Sequence, residues 1–104
     1  GGEFLVAEQA GEIVGMGALR KVSDVQAEVK RMRVVPRLQG QGIGTEILAR
    51  LEQRAAELGY RSLVLDTLEE QTAAQQFYLN HGYREVRRGE LAGFSSIFYQ
   101  KNLP

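Results

Sequence analysis

The feature that most constrains this chain is a glycine-rich stretch, residues 39–44, that lies between a strand-like segment and a helix-like segment. The strand-like run ends at Val35-Pro36, and helical periodicity begins near Thr45. Three glycines remove side chains where the backbone turns into the helix, so successive N–H groups and the positive helix end can face one anion. The sequence therefore predicts a phosphate or pyrophosphate ligand, although such turns also serve as ordinary strand-to-helix connections.

The composition indicates a single globular domain and argues against several ligand classes. The 104 residues are 43% hydrophobic and 25% charged, which is close to average and sufficient for one core. Acidic and basic residues cancel at thirteen each, and no long basic stretch with interleaved aromatics occurs, so no nucleic-acid partner is expected. The absence of cysteine and the single histidine, His81, argue against a metal site.

The chain carries no signal for a membrane or for export. No apolar run approaches the ~20 residues that span a bilayer. The first residues lack the charged-then-apolar layout of a secretion signal. The sequence therefore favours a cytoplasmic protein with no membrane partner.

The first part of the chain reads as three strands. Apolar runs over residues 4–8 and 13–19, separated by a glycine-containing turn, predict a hairpin. In a third strand, residues 25–35, the apolar residues change from odd to even positions near Lys30-Arg31. An inserted residue, a β-bulge, produces such a shift. Burial of both faces, in which case the alternation carries no information, is the other interpretation.

The glycine turn leads into a helix and then another strand. Apolar residues at helical spacing predict an amphipathic helix over residues 43–58, closed by Gly59. The short apolar strand at residues 63–65 follows this crossover helix, and we expect it to pair in parallel with the third strand.

The last third of the chain predicts one helix and two strands. Thr72 is expected to cap the helix, which ends at His81-Gly82 with His81 as a solvent-exposed cap. Strands at residues 83–86 and 95–99 are joined by a predicted loop that contains Gly89 and Gly93. The predicted fold is α/β (α+β): a mixed, mostly antiparallel sheet with a central parallel pair and two helices.

Two common phosphate-binding motifs do not match. A nucleotide-kinase loop requires Gly-Lys followed by Ser or Thr, whereas Gly44 is followed by Thr45-Glu46. The dinucleotide fingerprint requires a third glycine where Thr45 stands, and the preceding strand continues a meander instead of opening a βαβ unit. Triphosphate hydrolysis and nicotinamide or flavin binding are therefore not expected.

Two sequence blocks resemble the GNAT superfamily of N-acetyltransferases. Its acetyl-CoA signature is Arg or Gln, two residues, Gly, one residue, then Gly or Ala, and Gln39, Gly42 and Gly44 satisfy it. A later block is similar to a second family motif through Gln71, Ala74, Phe77-Tyr78 and Gly82-Tyr83. Two blocks in this order are far more specific than either alone.

The resemblance implies acetyl-CoA as co-substrate. Its pyrophosphate would lie on the amides of Gly40, Gln41, Gly42, Ile43, Gly44 and Thr45, next to Gln39. Its pantetheine would lie along the strand edge at Met32, Arg33 and Val34, where the family's bulged strand splays from its parallel neighbour. Gln71 stands where an asparagine is common and is a further expected contact.

The resemblance also implies a reaction, the direct attack of an amine on a thioester. Tyr78 matches the family's tyrosine that donates to the coenzyme sulfur, and a backbone N–H near Val34 would bind the oxyanion. Glu28 resembles a strand glutamate that acts as base in some members, and Asp66 matches a carboxylate used by others. A surface ion pair, with Lys30 or Arg61 for instance, is the alternative role for these carboxylates.

Members of the family usually begin with a strand and two helices before the hairpin. This chain already starts in what resembles the second strand, so residues 1–104 are expected to form one acetyl-CoA-binding domain shortened at its N-terminus. The bare edge of Phe4-Leu5-Val6 then predicts a homodimer or strand exchange. The acceptor is expected to be an amine of a small molecule or protein. A coenzyme-binding module without turnover is the alternative to an enzyme.

Overall fold

A computed structural model describes residues 2–104 and folds them into one mixed six-stranded sheet with two α-helices. The strands are β1 Gly2–Gln9, β2 Glu12–Lys21, β3 Gln26–Val34, β4 Ser62–Leu68, β5 Arg84–Leu91 and β6 Phe94–Asn102, and the helices are α1 Ile43–Glu57 and α2 Thr72–Asn80. A 3-10 turn, Pro36–Leu38, follows β3. The strand order is β1-β2-β3-β4-β6-β5, and β3 and β4 pair in parallel while the other neighbours are antiparallel. This confirms the predicted fold class.

The β1–β2 and β5–β6 hairpins each turn through two residues with positive φ. Ala10 and Gly11 have φ of 51° and 78°, and Ala92 and Gly93 have φ of 52° and 84°. Such turns have the twist that neighbouring strands require. The predicted position of Gly89 in the last loop is wrong, because β5 continues through Gly89, which pairs with Ser96. A glycine weakens a strand but does not end it when a partner strand provides the hydrogen bonds of the ladder.

The irregularity in β3 is a β-bulge. Met16 pairs with Arg33 and Ala18 pairs with Lys30, so Gly17 of β2 faces two residues of β3. One of them, Arg31, has a left-handed backbone with φ of 57°. The apolar phase shift in the sequence is therefore confirmed as an inserted residue.

Helix α1 packs closely on β2 because β2 carries glycine beneath it. A Cβ atom built at Gly17 would lie 2.7–2.9 Å from side-chain atoms of Met32, Ile47 and Leu51. The buried face of α1 consists of Ile47, Leu48, Leu51 and Ala55. Gly59, with φ of 91°, closes the helix while the Tyr60 N–H donates to the Ala55 carbonyl at 3.0 Å, as predicted from the sequence.

Helix α2 begins differently from the prediction. Thr72 is its first helical residue, and Gln71 occupies the cap position without a side-chain capping bond. The Gln71 side chain instead accepts a hydrogen bond from the Leu68 N–H at 2.8 Å. The end at His81-Gly82 is confirmed, with Gly82 at φ of 89°.

Both helices cover the same face of the sheet. A Cβ atom built at Gly44 of α1 would lie 3.5 Å from the Phe77 ring of α2, and Tyr83 after α2 donates to Glu52 of α1 at 2.9 Å. On the opposite face Phe4 and Val6 remain 56% and 44% exposed. Across residues 2–104, neither helix has the length and apolar character needed to cross a membrane.

Candidate functional site

The two parallel strands diverge part of the way along their length. Their ladder ends at the pair Glu28 and Val64, although β3 continues to Val34 and β4 continues to Leu68. The bulge at Arg31 accounts for this divergence, because a bulge bends the strand that carries it. A cavity of about 830 Å³ lies between the separated strands. The splayed pair predicted from the sequence is therefore present.

One backbone amide of β3 points into this cleft. The Val35 N–H donates to the Val14 carbonyl of β2 at 2.9 Å. Because successive amides of an extended strand point to opposite edges, the N–H and C=O of Val34 face away from β2 and toward the cleft. The Gln39 side chain donates to the Val34 carbonyl at 3.1 Å, which leaves the N–H for another acceptor.

The glycine turn forms the other half of the cleft. Gly40 and Gly42 have φ of 82° and 89°, and the Glu46 N–H makes the first bond of α1 with the Gly42 carbonyl at 3.0 Å. The amides just before Glu46 are those that a helix end leaves without an internal acceptor. They border a cavity of about 590 Å³. Residues lining this cavity include Gly40, Gly42, Gly44 and Thr45.

The two cavities adjoin, and together they make up the cleft, because they share part of their lining. The shared residues are Met32, Arg33, Val34, Gln39, Ala74 and Tyr78. Gln71 lines the larger cavity, with its Oε1 already bonded to the Leu68 amide. The cleft thus brings together most of the positions predicted from the sequence.

Gln41 and Ile43 are exceptions. Both line a separate cavity of about 420 Å³ on the β1 side. The Ile43 side chain packs against the hydrophobic core. These two residues can therefore contribute to the cleft only through their backbone amides.

Tyr78 lies where the two cavities meet. It is 8% exposed, and its ring packs edge-on against Phe77 and Tyr83 with centroid separations of 5.2 and 5.6 Å. Its hydroxyl makes no hydrogen bond with residues 2–104. Burial, with a smaller contribution from the charge of Asp66, raises its pKa to about 12. The phenol is therefore a hydrogen-bond donor throughout the physiological pH range.

Glu28 and Asp66 line the larger cavity together with Tyr78. Glu28 Oε1 accepts hydrogen bonds from Arg20 at 2.7 and 3.0 Å, so its ion pair is with the opposite residue of β2 and not with Lys30. Burial raises the pKa of Asp66, the charge of Glu28 raises it further, and Lys30 opposes both. Glu28 is therefore held in place by Arg20, whereas Asp66 is a carboxylate with increased basicity. Residues 2–104 hold no group of three or more side chains suited to a metal ion.

His81 lies at the end of α2 as predicted, but the expected solvent exposure of its side chain is wrong. It is partly buried, with Nε2 at 3.0 Å from the Thr45 hydroxyl and Nδ1 at 2.7 Å from the Phe77 carbonyl. The Nδ1 contact joins residues one helical turn apart, a spacing visible in the sequence. The contact with Thr45 depends on the packing of α2 against α1 and has no local signal.

The chain is similar to known proteins in sequence and in structure. The family model described as "Acetyltransferase (GNAT) family" matches residues 1–83. An IAA acetyltransferase of Azospirillum brasilense is 34% identical over 96% of this chain and 67% of its own length. An aminoalkylphosphonate N-acetyltransferase of Salmonella typhimurium is 31% identical over 79% of this chain and 56% of its own length.

A solved structure has the same fold. The GNAT family acetyltransferase from Elizabethkingia anophelis with acetyl-CoA bound superposes with a TM-score of 0.85. It is 24% identical, and the match covers 98% of this chain and 76% of that one. The aligned part of this chain thus spans just over half the length of the Salmonella relative and two thirds of the Azospirillum one.

Proposed function

The chain belongs to the GNAT family of acetyltransferases, and we propose that it transfers acetyl from acetyl-CoA to a primary amine of a small molecule or protein by direct attack. The acetyl-CoA bound to the Elizabethkingia neighbour supports acetyl-CoA as the acyl donor. One observation carries the proposal: two adjoining cavities bring the free amides of a glycine turn beside a buried tyrosine and two carboxylates. We treat residues 1–104 as a single acetyl-CoA-binding domain.

The coenzyme would bind along this cleft. Its diphosphate would accept hydrogen bonds from the amides between Gly40 and Thr45, at the positive end of α1. Its pantetheine would follow the free edge of β3 at Met32, Arg33 and Val34, where the amides of the arm replace a neighbouring strand. The Gln71 amide nitrogen is a further side-chain donor in this cavity.

The chemistry requires few groups from the protein. The amine nitrogen attacks the thioester carbonyl, a C–N bond forms, and the oxygen becomes an oxyanion that the Val34 N–H can bind. Collapse of this intermediate breaks the C–S bond and releases the thiolate. The proton lost by the amine passes to a carboxylate or to water.

Tyr78 acts in this scheme as a hydrogen-bond donor to the sulfur. A thiol titrates near ~8.5, so full transfer of a proton from a phenol whose pKa is about 12 is uphill by about 5 kcal/mol. Donation of a hydrogen bond to the developing thiolate avoids that cost. The proton on the released thiol then comes from solvent, or from the carboxylate or water that received the proton of the amine.

We propose that Glu28 and Asp66 form the base site. Arg20 holds one oxygen of Glu28, and the negative charge of Glu28 raises the pKa of Asp66. Either carboxylate can receive the amine proton, and two substitutions separate them. The base is the carboxylate whose amide variant, Glu28→Gln or Asp66→Asn, loses the larger part of kcat at pH 7 together with the acidic limb of the pH profile.

The test of the function combines acetyl-CoA titration with thiol release in the presence of an amine panel. We expect binding and amine-dependent release. Tyr78→Phe should lower kcat by about 10²–10³-fold, the loss typical of one transition-state hydrogen-bond donor, with little change in coenzyme affinity. Tyr60→Phe, a partly buried tyrosine that lines a cavity separate from the cleft, is the matched control. Binding without release from any amine would indicate a coenzyme-binding module, and no binding would refute the family function for this chain.

We also propose that a second copy pairs along β1. This strand is one edge of the sheet, and its neighbouring surface exposes Phe4 and Val6. Unpaired edges with apolar side chains favour addition of another strand. Sedimentation at increasing concentration should show a dimer that a Val6→Lys variant does not form, and a monomer at all concentrations would refute this pairing.

A further inference from the structure

The hydrogen bonds of His81 determine which ring nitrogen carries the proton. Nδ1 lies 2.7 Å from the Phe77 carbonyl, which can only accept, so Nδ1 is the donor. In the neutral ring Nε2 is therefore an acceptor. The Thr45 hydroxyl, 3.0 Å away, must donate its hydrogen to Nε2.

This arrangement affects the glycine turn, because Thr45 lines the cavity that the turn borders. With its hydrogen directed to His81, the hydroxyl presents only lone pairs to an anion in the cavity. When the imidazole is protonated, Nε2 becomes a donor to the same oxygen. The hydroxyl hydrogen is then free to turn toward the anion.

We propose that His81 is a positioning residue for the coenzyme: its protonation releases the Thr45 hydroxyl to donate to the diphosphate, so binding takes up a proton. The inference rests on the proposed function, since it requires a diphosphate at the glycine turn. It assigns a role to His81, which lies behind the cleft, and it predicts how the affinity for the coenzyme changes with pH. By linkage, a ligand that prefers the protonated protein binds more tightly as pH falls.

The other titratable groups around His81 do not share this role. Lys101 of β6 donates to the His81 backbone carbonyl at 2.9 Å and to Glu52 of α1 at 3.0 Å, so its charge is already paired. Tyr83 donates to the other oxygen of Glu52 at 2.9 Å. Burial raises the pKa of Tyr78 and Tyr83 alike, so both stay neutral at physiological pH. The Phe77 ring packs on the imidazole with centroids 4.4 Å apart.

The probe for the test is dephospho-coenzyme A. It retains the diphosphate but lacks the phosphate monoester of coenzyme A, whose own titration would obscure the result. Calorimetric titrations from pH 5.5 to 8, in buffers of different ionisation enthalpy, report both the affinity and the protons taken up. Pantetheine, which has no phosphate, is the control ligand.

We expect the wild-type chain to bind dephospho-coenzyme A up to about tenfold more tightly at the acid end of the range, with proton uptake. His81→Gln should abolish the uptake. Thr45→Val should lose most of the pH dependence with His81 still in place, a result that a purely structural role of His81 would not give. Pantetheine binding should not vary with pH.

Three results would overturn the inference. These are affinity for dephospho-coenzyme A that is independent of pH in the wild type, the same dependence in His81→Gln, or the full dependence in Thr45→Val. If neither coenzyme A nor its dephospho form binds at any pH, the proposed function fails instead. The Thr45 variant keeps the test available even if His81→Gln does not fold, because Thr45 is an exposed residue in the first turn of α1.

Discussion

Gly42 and Gly59 provide a matched pair of substitutions that separates the fold from the ligand site. Gly42 precedes α1 with φ of 89°, and Gly59 follows the helix with φ of 91°. At neither position would a new Cβ atom meet another atom within 4 Å. Replacement by alanine therefore introduces backbone strain without a clash at both ends of the same helix.

The expected loss of stability is similar for the two variants. A left-handed conformation costs an L-residue about 1–2 kcal/mol, and the reduced freedom of the unfolded chain returns about 0.4–1 kcal/mol. The net loss is then about 1 kcal/mol for each, or ~4–8 °C in Tm for a domain of this size. Urea unfolding measures the free energies, and a thermal melt measures the shifts.

The expected effect on the coenzyme differs between them. Gly42 lines the cavity at the turn, so a methyl group there occupies space proposed for the diphosphate. We expect Gly42→Ala to weaken acetyl-CoA binding at least tenfold, about 1.4 kcal/mol, and Gly59→Ala to leave it unchanged. Unchanged affinity in Gly42→Ala would refute the placement of the diphosphate. A large difference in stability between the two variants would refute the strain argument.

Three further substitutions test the packing and the charges. Asp66 has a raised pKa in the folded state, so the free energy of unfolding falls as pH rises through the titration of this carboxyl. In urea unfolding, Asp66→Asn should therefore be more stable than wild type at pH 7 but not at pH 3. Gly17→Ala should lose about 1–3 kcal/mol, because its Cβ would lie within 2.9 Å of three side chains, and an unchanged urea midpoint would contradict that contact. Leu51→Ala, at a fully buried position, should lose about 2–5 kcal/mol by the same measurement, and a smaller loss would place Leu51 outside the core.

The elements that the sequence predicted correctly are those with a strong local pattern. The apolar repeat of α1, its closing Gly59 and the phase shift in β3 each depend on residues close together in the chain. The glycine turn belongs to the same class, because glycine allows the positive φ that Gly40 and Gly42 adopt whatever surrounds them. Gly89 was misplaced in a loop because pairing with β6 keeps it in a strand. Thr72 was misplaced as the cap because Gln71 takes that position and its side chain bonds to the Leu68 amide.

The site likewise combines residues that the sequence identified with contacts that only the folded structure shows. The sequence selected Tyr78, Glu28 and Asp66 by motif, and the structure places all three along one cavity. The tertiary structure alone gives Glu28 its partner Arg20 and brings His81 to Thr45, 36 residues away.

The physical reason is the range of each interaction. Periodicity, turns and helix ends are determined by neighbours along the chain, so the sequence by itself determined which segments form strands and helices and which helix follows a glycine turn. Contacts across the sheet and between helices depend on register and on where the β3–β4 ladder stops. For that reason only the folded structure decided how the charges pair, how deeply Tyr78 is buried and which hydroxyl His81 holds.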